Sequence, residues 1–454
     1  MDDFQSMNPY TFEVAYNHEA TALDGLDSVV RKAHTDFLLW KEKSFEERAV
    51  HFQHLRQMML NLTEEYGEIA SNEMGKPITE AIKEVEKCAD LCNFYSKNAK
   101  TFLKTEYIET EFHKSLVTYE PMGVIFGVMP WNYPYWQILR FAIPALMAGN
   151  AVIIKPAPNV FQCAKALEHL FWEAEFPKHL FQVVYINEAL TPLIIKEKKI
   201  QGVAFTGSAE GGSVIAALAG KYLKKTIVEL GGNDPFIILD DANIQEAVKA
   251  VVASRFSNCG QACIAAKRLI ITAGVAEEVI PLIEKAIDAL VLGDPLDKNT
   301  QLGPLARPDL LDRLEEQVNQ SIKAGAKVLK GGKRIKDSNF FEPTILTDVP
   351  KGCPAYEDEL FGPVLSIFIV ENEEKAIELA NDSDYGLGAS VWTKDLKHGE
   401  KIAKKIEAGQ VFVNRRVRSD ARLPFGGTKQ SGYGRELSVA GIREFTDTKV
   451  IVVD

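Results

Sequence analysis

The sequence predicts an α/β fold with two separate sheet-and-helix units, and three observations support this prediction. Residues 25–105 carry apolar positions every three or four residues among charged ones, which is typical of amphipathic helices. Short apolar runs of strand length then alternate with helix-length segments, which indicates parallel strands joined by crossover helices. This alternation occurs twice in a chain of 454 residues, too long for one ordinary core.

The first series of strands follows the helical segment, and the second series follows a double-glycine turn at Gly231. Strands of the first series are predicted at the runs GVIFGVMP, AVIIKP, FQVVYI and GVAFTG. Strands of the second series are predicted at PFIILDD, RLIIT, SIFIV, ASVWT and VFVN. Helices are expected through Phe256 and over VAEEVIPLIEKAIDALV, and the terminal IVVD is expected to form a strand.

Composition limits the classes of partner. Hydrophobic residues make up 46% and charged residues 25% of the chain, the balance of a folded globular protein. A formal charge of −11 repels phosphates and anionic membranes, so neither nucleic acid nor a membrane is expected to bind. No apolar run approaches the roughly 20 residues of a membrane span, and the amino terminus is acidic and polar, so we expect a cytoplasmic protein. A small-molecule substrate and no metal are expected.

The segment FSNCGQACIA contains the candidate nucleophile, Cys263. A thiolate can add to a carbonyl carbon, and a cysteine where a loop enters a helix is acidified by nearby backbone N–H groups. Six cysteines are too few for a disulfide scaffold in a chain of this length, so one reactive thiol among reduced residues is expected. A buried structural cysteine is the alternative interpretation.

Three further motifs are expected at strand ends, where open α/β sheets bind ligands. Glu229 ends an apolar strand just before Gly231-Gly232, and its carboxylate can accept a proton from water. Asn132, in the run MPWNYP, offers amide donors for an oxyanion. The run FTGS, with Gly207 and Ser208, resembles a phosphate-binding turn. Taken singly, each has a plain structural alternative: a solvated strand end, a proline-rich turn or a tight turn.

Together these motifs resemble the aldehyde dehydrogenase superfamily, whose PWN, FTGS, ELGG, NxGQxC, ELFGPV and PFGGxKxSGxGRE patterns occur here in family order over nearly the whole chain. The resemblance implies that Cys263 is the nucleophile, Glu229 the general base and Asn132 the oxyanion donor beside the Cys263 backbone N–H. It also implies hydride transfer to a nicotinamide, followed by hydrolysis of a thioester. The implied fold has a Rossmann-type cofactor domain, an α/β catalytic domain and a small β oligomerisation arm.

The resemblance also implies a set of cofactor-binding residues. Lys155 matches the lysine that binds the adenosine ribose, and many NAD-preferring relatives carry a glutamate three residues later, where this chain has Pro158. Losing that carboxylate removes repulsion against a 2′-phosphate, so the sequence favours neither NAD nor NADP. The remaining residues assigned to the cofactor side are Trp131, Gly207, Ser208, Glu359 and Phe361.

Within the superfamily the chain most resembles the short succinate-semialdehyde dehydrogenase branch. Arg140 matches an arginine that binds the substrate carboxylate, and its fork geometry suits a carboxylate, although a structural ion pair is the alternative. A second arginine of some relatives is replaced here by Ser257, so Arg418, with Ser419 beside it, is the candidate second cation. Three equally charged neighbours are the alternatives: Arg415, Arg416 and Arg422. The side chains expected to line the substrate tunnel are Trp136 and Phe425.

The resemblance further divides the chain into three parts. Residues 1–105 and 122–229 are assigned to the NAD(P)-binding domain and residues 230–436 to the catalytic domain. Residues 106–121 and 437–454 are assigned to the oligomerisation arm, whose exposed edges are expected to pair in a homodimer or homotetramer.

Several alternatives stay open at this point. The chain could be a broad-specificity aldehyde dehydrogenase or a catalytically silent family member with a binding role. A thiol hydrolase would need a histidine, and none lies in the glycine-rich motifs. Acylating relatives typically lack the base found here as Glu229, so water is the expected acceptor. Cys259, four residues before Cys263, is expected to be a packing residue, with a reversible disulfide to Cys263 as the alternative.

Overall fold

The computed structural model describes residues 4–454 and confirms the predicted alternation of strands and helices. An amino-terminal hairpin, β1 paired with β2, was not predicted. In chain order the strands are β1 (Phe4–Met7), β2 (Val14–His18), β3 (Glu106–Ile108), β4 (Lys114–Pro121), β5 (Val124–Val128), β6 (Ala151–Lys155), β7 (Phe181–Val183), β8 (Ile200–Thr206), β9 (Lys225–Glu229), β10 (Pro235–Ile238), β11 (Arg268–Thr272), β12 (Lys327–Lys330), β13 (Thr344–Thr347), β14 (Val364–Val370), β15 (Tyr385–Gly386), β16 (Gly388–Trp392), β17 (Gln410–Val413), β18 (Thr428–Lys429), β19 (Gly432–Tyr433) and β20 (Thr446–Val453).

The predicted helical segment forms four helices, which bury their apolar stripes. The second of them begins with a capping box, in which Ser44 and Glu47 each bond the other's backbone N–H. In chain order the helices are α1 (Leu26–Trp40), α2 (Phe45–Asn61), α3 (Thr63–Met74), α4 (Ile78–Phe102), α5 (Trp136–Met147), α6 (Phe161–Glu173), α7 (Thr191–Ile195), α8 (Ala209–Lys221), α9 (Ile244–Phe256), α10 (Ala273–Asp288), α11 (Pro308–Ala324), α12 (Pro354–Glu357), α13 (Glu373–Asn381), α14 (Leu396–Ala403) and α15 (Ser438–Glu444).

The first sheet has six strands in the order β19-β9-β8-β5-β6-β7, and β5 to β9 run parallel. The chain moves outward from β5 through β6 to β7 and then returns to the other side of β5 with β8. This reversal creates a topological switch point between β5 and β8, the place where doubly wound sheets bind their ligands. Asn132 follows β5 and Gly207 follows β8, so both lie at this edge.

The second sheet has seven strands in the order β12-β13-β14-β11-β10-β16-β17. All its pairs are parallel except β12 with β13. Each sheet has its own hydrophobic core, and most residues of the two cores lie on opposite sides of residue 230 in the sequence. The domain boundaries assigned from the resemblance stay a prediction.

A third sheet joins the two segments assigned to the arm, with β20 and β3 on either side of β4. The terminal IVVD lies in β20, as predicted. The outer part of this strand exposes Val450, Val452 and Val453, so the arm presents apolar side chains to its surroundings. None of the helices within residues 4–454 is long and apolar enough to cross a membrane.

Candidate active site

Cys263 lies in a loop between α9 and β11, and this corrects the expected position at the start of a helix. Helix α9 ends at Phe256, and a tight turn over Ser257–Gly260 follows it. Asn258 and Cys259 have φ angles of 50° and 54° in this turn, a left-handed conformation that is strained in residues other than glycine. Cys263 is therefore presented by a strained loop rather than by the N-terminus of a helix.

Hydrogen bonds from three separate parts of the chain hold this turn. Glu80 of α4 accepts the backbone N–H of Asn258 at 2.8 Å, and the Asn258 side-chain amide donates to the Asn132 carbonyl at 2.8 Å. Arg255 donates to the carbonyl of Gly260 at 2.6 Å. These bonds fix the left-handed residues and with them the path of the chain to Cys263.

Lys267, which the sequence analysis missed, fixes the other side of the loop. Its buried ammonium donates to the carbonyls of Ala262, at 2.9 Å, and of Cys263, and it forms an ion pair with Glu359 at 2.9 Å. The signal in the sequence is a lysine directly before Arg268, where the strand β11 begins. Lys267 thus connects the Cys263 loop to a residue assigned to the cofactor side.

Burial raises the pKa of the Cys263 thiol to about 11, while the charges of Arg140 and Lys267 act in the opposite direction. The expected acidification by a helix N-terminus is wrong, because the preceding helix presents its C-terminal end to this loop. In the free protein the thiol is therefore protonated at neutral pH, and cationic side chains are the groups that favour the thiolate.

Asn132 lies against the same loop. Its side chain is buried and donates one amide N–H to the carbonyl of Gln261 at 3.0 Å, two residues before Cys263. A primary amide has two N–H donors, so the second remains for a ligand. The geometry thus brings Asn132 beside the loop of Cys263, although the two are far apart in sequence.

Glu229 ends β9 with both carboxylate oxygens buried and without a hydrogen-bond partner in the described chain. Burial, reinforced by the negative charge of Glu436, raises its pKa well above the usual value, and Arg140 and Arg435 oppose this shift. A buried carboxyl group with no partner is rare in a folded protein and is common at functional sites.

Arg140 is almost completely buried on α5 and forms an ion pair with Glu436, which is equally buried. Its guanidinium carbon also lies 4.4 Å from the ring centre of Phe425. The structure therefore contains the ion pair that the sequence left open as the alternative for Arg140. A direct contact between Arg140 and a substrate carboxylate stays a prediction.

All the side chains that were expected to contact the substrate line one cavity of about 1370 Å³. Arg418 lies at its exposed mouth, with its guanidinium 3.7 Å from Asp420. Lys87 of α4 also lines the cavity and was not predicted. The residues that the cavity brings together are Cys263, Trp136, Arg140, Arg418, Ser419, Phe425 and Lys87.

The residues assigned to the cofactor lie outside this cavity. Ser208 caps α8 by accepting the backbone N–H of Gly211 at 3.1 Å, so Gly207 and Ser208 mark a helix N-terminus. The rings of Trp131 and Phe361 meet edge to face, with centres 5.7 Å apart. Pro158 starts a short helical turn after β6.

Lys155, at the end of β6, is buried without an acidic partner within ion-pair distance in residues 4–454. Its ammonium donates a 3.5 Å hydrogen bond to the carbonyl of Pro156, and burial lowers its pKa. Both polar atoms of the Asn159 amide are likewise buried without a hydrogen bond to any described residue. Asn159 was not assigned a role from the sequence, although it belongs to the conspicuous turn after Lys155. The Lys155 ammonium without an acidic partner and the unpartnered Asn159 amide fit a polar ligand such as a nucleotide.

Cys259 is buried beside the nucleophile loop, where burial raises the pKa of its thiol to about 12. Both Cys259 and Cys263 are free thiols. Burial disfavours the thiolate that would start disulfide exchange. The packing role expected for Cys259 and its alternative, a reversible disulfide, both stay predictions.

Comparison with known proteins gives a consistent result. Residues 1–451 match a family model described as the aldehyde dehydrogenase family. A probable NADP⁺ succinate-semialdehyde dehydrogenase of Synechocystis sp. is 43% identical, with 98% of each chain covered. The NAD(P)⁺ succinate semialdehyde dehydrogenase Sad of Escherichia coli is 40% identical, over 99% of this chain and 97% of its own. The crystal structure of succinic semialdehyde dehydrogenase from Streptococcus pyogenes with NADP⁺ superposes with a TM-score of 0.97 at 37% identity, covering 99% of each chain.

Proposed function

The chain belongs to the aldehyde dehydrogenase family, and from that premise we propose that it oxidises succinic semialdehyde to succinate with NADP or NAD through a thioester on Cys263. The observation that carries the proposal is a cavity lined both by Cys263 and by a group of cationic side chains. An aldehyde with a remote carboxylate can place its carbonyl group at the Cys263 thiol and its carboxylate at the cationic side chains. The names of the relatives in Synechocystis sp. and Escherichia coli support the same substrate.

In the proposed reaction, the Cys263 thiolate adds to the aldehyde carbon and the carbonyl oxygen becomes an oxyanion. The free amide N–H of Asn132 and the backbone N–H of Cys263 are the proposed donors to it. A nicotinamide, when bound, accepts the hydride that leaves the same carbon. Water then attacks the thioester carbon, Glu229 takes a proton from this water, and the carboxylic product leaves as the Cys263 sulfur is freed.

Glu229 must be ionised when it accepts that proton. Burial and Glu436 raise its pKa, whereas Arg140 and Arg435 favour the charged form. Arg140, held in its ion pair with Glu436, therefore affects the pKa of both reactive groups. Its charge favours the ionised form of Glu229 and also the Cys263 thiolate. In this proposal Arg140 acts on the chemistry even where it does not contact the substrate.

For the cofactor, we propose that Lys155 and Asn159, at the end of β6 and in the turn after it, hold the adenosine ribose. The N-terminus of α8 is then proposed to lie beneath the pyrophosphate. The buried Lys155 ammonium, which has no acidic partner in residues 4–454, and the unpartnered amide of Asn159 support the first assignment. Gly207 and Ser208 support the second, because helix N-termini bind phosphate groups. Glu359 and Phe361 are the proposed contacts of the nicotinamide ribose, and Pro158 adds no carboxylate that would repel a 2′-phosphate.

The function is tested with purified protein, each nicotinamide cofactor, and either succinic semialdehyde or propanal. We expect kcat/KM for succinic semialdehyde to exceed that for propanal at least tenfold, added coenzyme A not to accelerate turnover, and a Cys263→Ser variant to be inactive. Equal values for the two aldehydes would make the chain a broad-specificity enzyme. No absorbance of reduced cofactor with any aldehyde would make it a silent family member.

A further inference from the structure

Lys87 is a half-buried cation in the substrate cavity, without a carboxylate partner among the described residues. It lies on α4, and its ammonium is 3.8 Å from the ring centre of Trp136 on α5. The same ammonium donates a 2.5 Å hydrogen bond to the hydroxyl of Ser419. Among residues 4–454, no acidic side chain lies within ion-pair distance of Lys87. A charge held only by a ring and a hydroxyl lacks the counter-ion that buried charges normally have.

The other two cations considered for the substrate carboxylate already have acidic partners. Arg140 is paired with Glu436, although its Nη2 group is buried without a hydrogen-bond partner in residues 4–454. Arg418 lies 3.7 Å from Asp420, with much of its side chain in solvent. Of these three cations, Lys87 is the one without a carboxylate partner among the described residues, and it lies in the part of the cavity that Trp136 and Ser419 also line.

Ser419 adds a second donor at the same place. Its hydroxyl oxygen accepts a hydrogen bond from the Lys87 ammonium, so its own O–H is available to donate to a ligand. An ammonium and a hydroxyl side by side can each donate to one oxygen of a carboxylate. Lys87 and Ser419 thus provide the hydrogen-bond donors that the carboxylate of such an aldehyde requires.

On this geometry we propose that Lys87, together with Ser419, binds the remote carboxylate of the substrate and determines the preference for carboxylated aldehydes. The proposal rests on the proposed function and deepens it by naming the specificity residue. Arg140 then serves mainly to hold α5 and to favour the charged forms of Cys263 and Glu229.

The charges around Lys87 agree with this assignment. Burial and the positive charges of Arg140 and Arg418 lower its pKa to about 8, and Glu84 and Cys88 oppose the shift. Glu84 is itself paired with Lys76. A substrate carboxylate would favour the charged ammonium, so binding and protonation of Lys87 support each other.

The test compares succinic semialdehyde, glutaric semialdehyde and the uncharged butanal in three proteins: the wild type, Lys87→Met and Lys97→Met. Methionine keeps the apolar stem of Lys87 but removes its charge. Lys97 is an exposed lysine on the same helix and serves as the matched control. We expect Lys87→Met to raise KM for the carboxylated aldehydes 10- to 100-fold with kcat changed less than threefold. Its kcat/KM for butanal should stay within threefold of the wild type, and Lys97→Met should match the wild type throughout.

The outcomes separate the two proposals. If the wild type prefers succinic semialdehyde to butanal but Lys87→Met keeps its KM within twofold, the Lys87 assignment is overturned and the proposed function stands. If the wild type prefers glutaric semialdehyde and Lys87→Met loses that preference, the assignment stands and the named substrate is wrong. A wild type with no preference for carboxylated aldehydes overturns both. Equal losses on all substrates at an unchanged Tm also overturn the assignment.

Discussion

Arg140 and Glu436 form an ion pair in which each side chain is only 2% exposed. The pair connects α5 to a short backbone bridge in which Phe425 and Glu436 exchange two hydrogen bonds of 2.7 Å. This bridge supplies both the carboxylate that binds the Arg140 guanidinium and the aromatic ring beneath it. Two residues of the carboxyl-terminal segment thus fix Arg140, close enough to Glu229 for the Arg140 charge to oppose the rise in the pKa of that carboxyl group.

Glu436→Gln is expected to destabilise the protein, because it leaves the Arg140 charge buried without a counter-ion. Breaking one side of a buried pair costs about 3–5 kcal/mol of the free energy of unfolding. Urea unfolding followed by tryptophan fluorescence measures the change, with the exposed Glu371→Gln as the control. A loss below 1 kcal/mol would show that water reaches Arg140 in solution.

Alkylation of Cys263 in the free enzyme is expected to accelerate about tenfold for each pH unit between 7 and 10. A thiol whose pKa is about 11 is ionised in about one molecule in ten thousand at pH 7, and only the thiolate reacts. Iodoacetamide labelling of the Cys263 peptide, followed by mass spectrometry, gives the rate. A plateau already reached at pH 8 would mean that the thiol is far more acidic than its burial indicates.

The charge of Arg140 is expected to contribute to this acidity. The double variant Arg140→Met with Glu436→Leu removes both members of the ion pair, which avoids an uncompensated buried charge. Because Arg140 lowers the pKa of Cys263, its loss should slow alkylation roughly three- to tenfold at pH 8. The exposed Arg422→Gln is the control, since its partner is Asp420. An unchanged rate at an unchanged Tm would contradict the assigned role.

The sequence predicted the fold well where the signal was local. The strands β6 and β11 are buried along their whole length, and their apolar runs can be recognised from the segment alone. The conformation of the loop that leads to Cys263 could not be predicted from the local sequence, because the left-handed turn at Asn258 depends on hydrogen bonds with Glu80 and Asn132. Partners remote in sequence, such as Glu436 for Arg140 or Ser419 for Lys87, likewise become visible only when α4 and α5 pack against the carboxyl-terminal segment.

Glu84→Gln is expected to weaken the start of α5. One oxygen of Glu84 accepts the backbone N–H groups of Tyr135 and Trp136 at 2.9 Å, and the other binds Lys76 in a buried ion pair. The amide can still accept a hydrogen bond but leaves Lys76 without a counter-ion, so about 3 kcal/mol or more of stability should be lost. Thermal and urea unfolding check this, beside the exposed Glu86→Gln on the same helix. Equal stability of the two variants would contradict the prediction.

Glu229→Gln is expected to separate the two halves of the proposed reaction. Glutamine cannot accept a proton from water, and a general base contributes about 10²- to 10⁴-fold to rate, so hydrolysis of the thioester should slow by that factor. Formation of the thioester uses Cys263 and Asn132, so mixing with substrate and cofactor should give a rapid burst of reduced cofactor close to one per active site. Mass spectrometry of the quenched enzyme should find the acyl group on Cys263. A variant that turns over at the wild-type rate would remove Glu229 from the hydrolytic step. A variant without a burst would place Glu229 before the thioester, where its carboxyl group would act on the Cys263 thiol instead of on water.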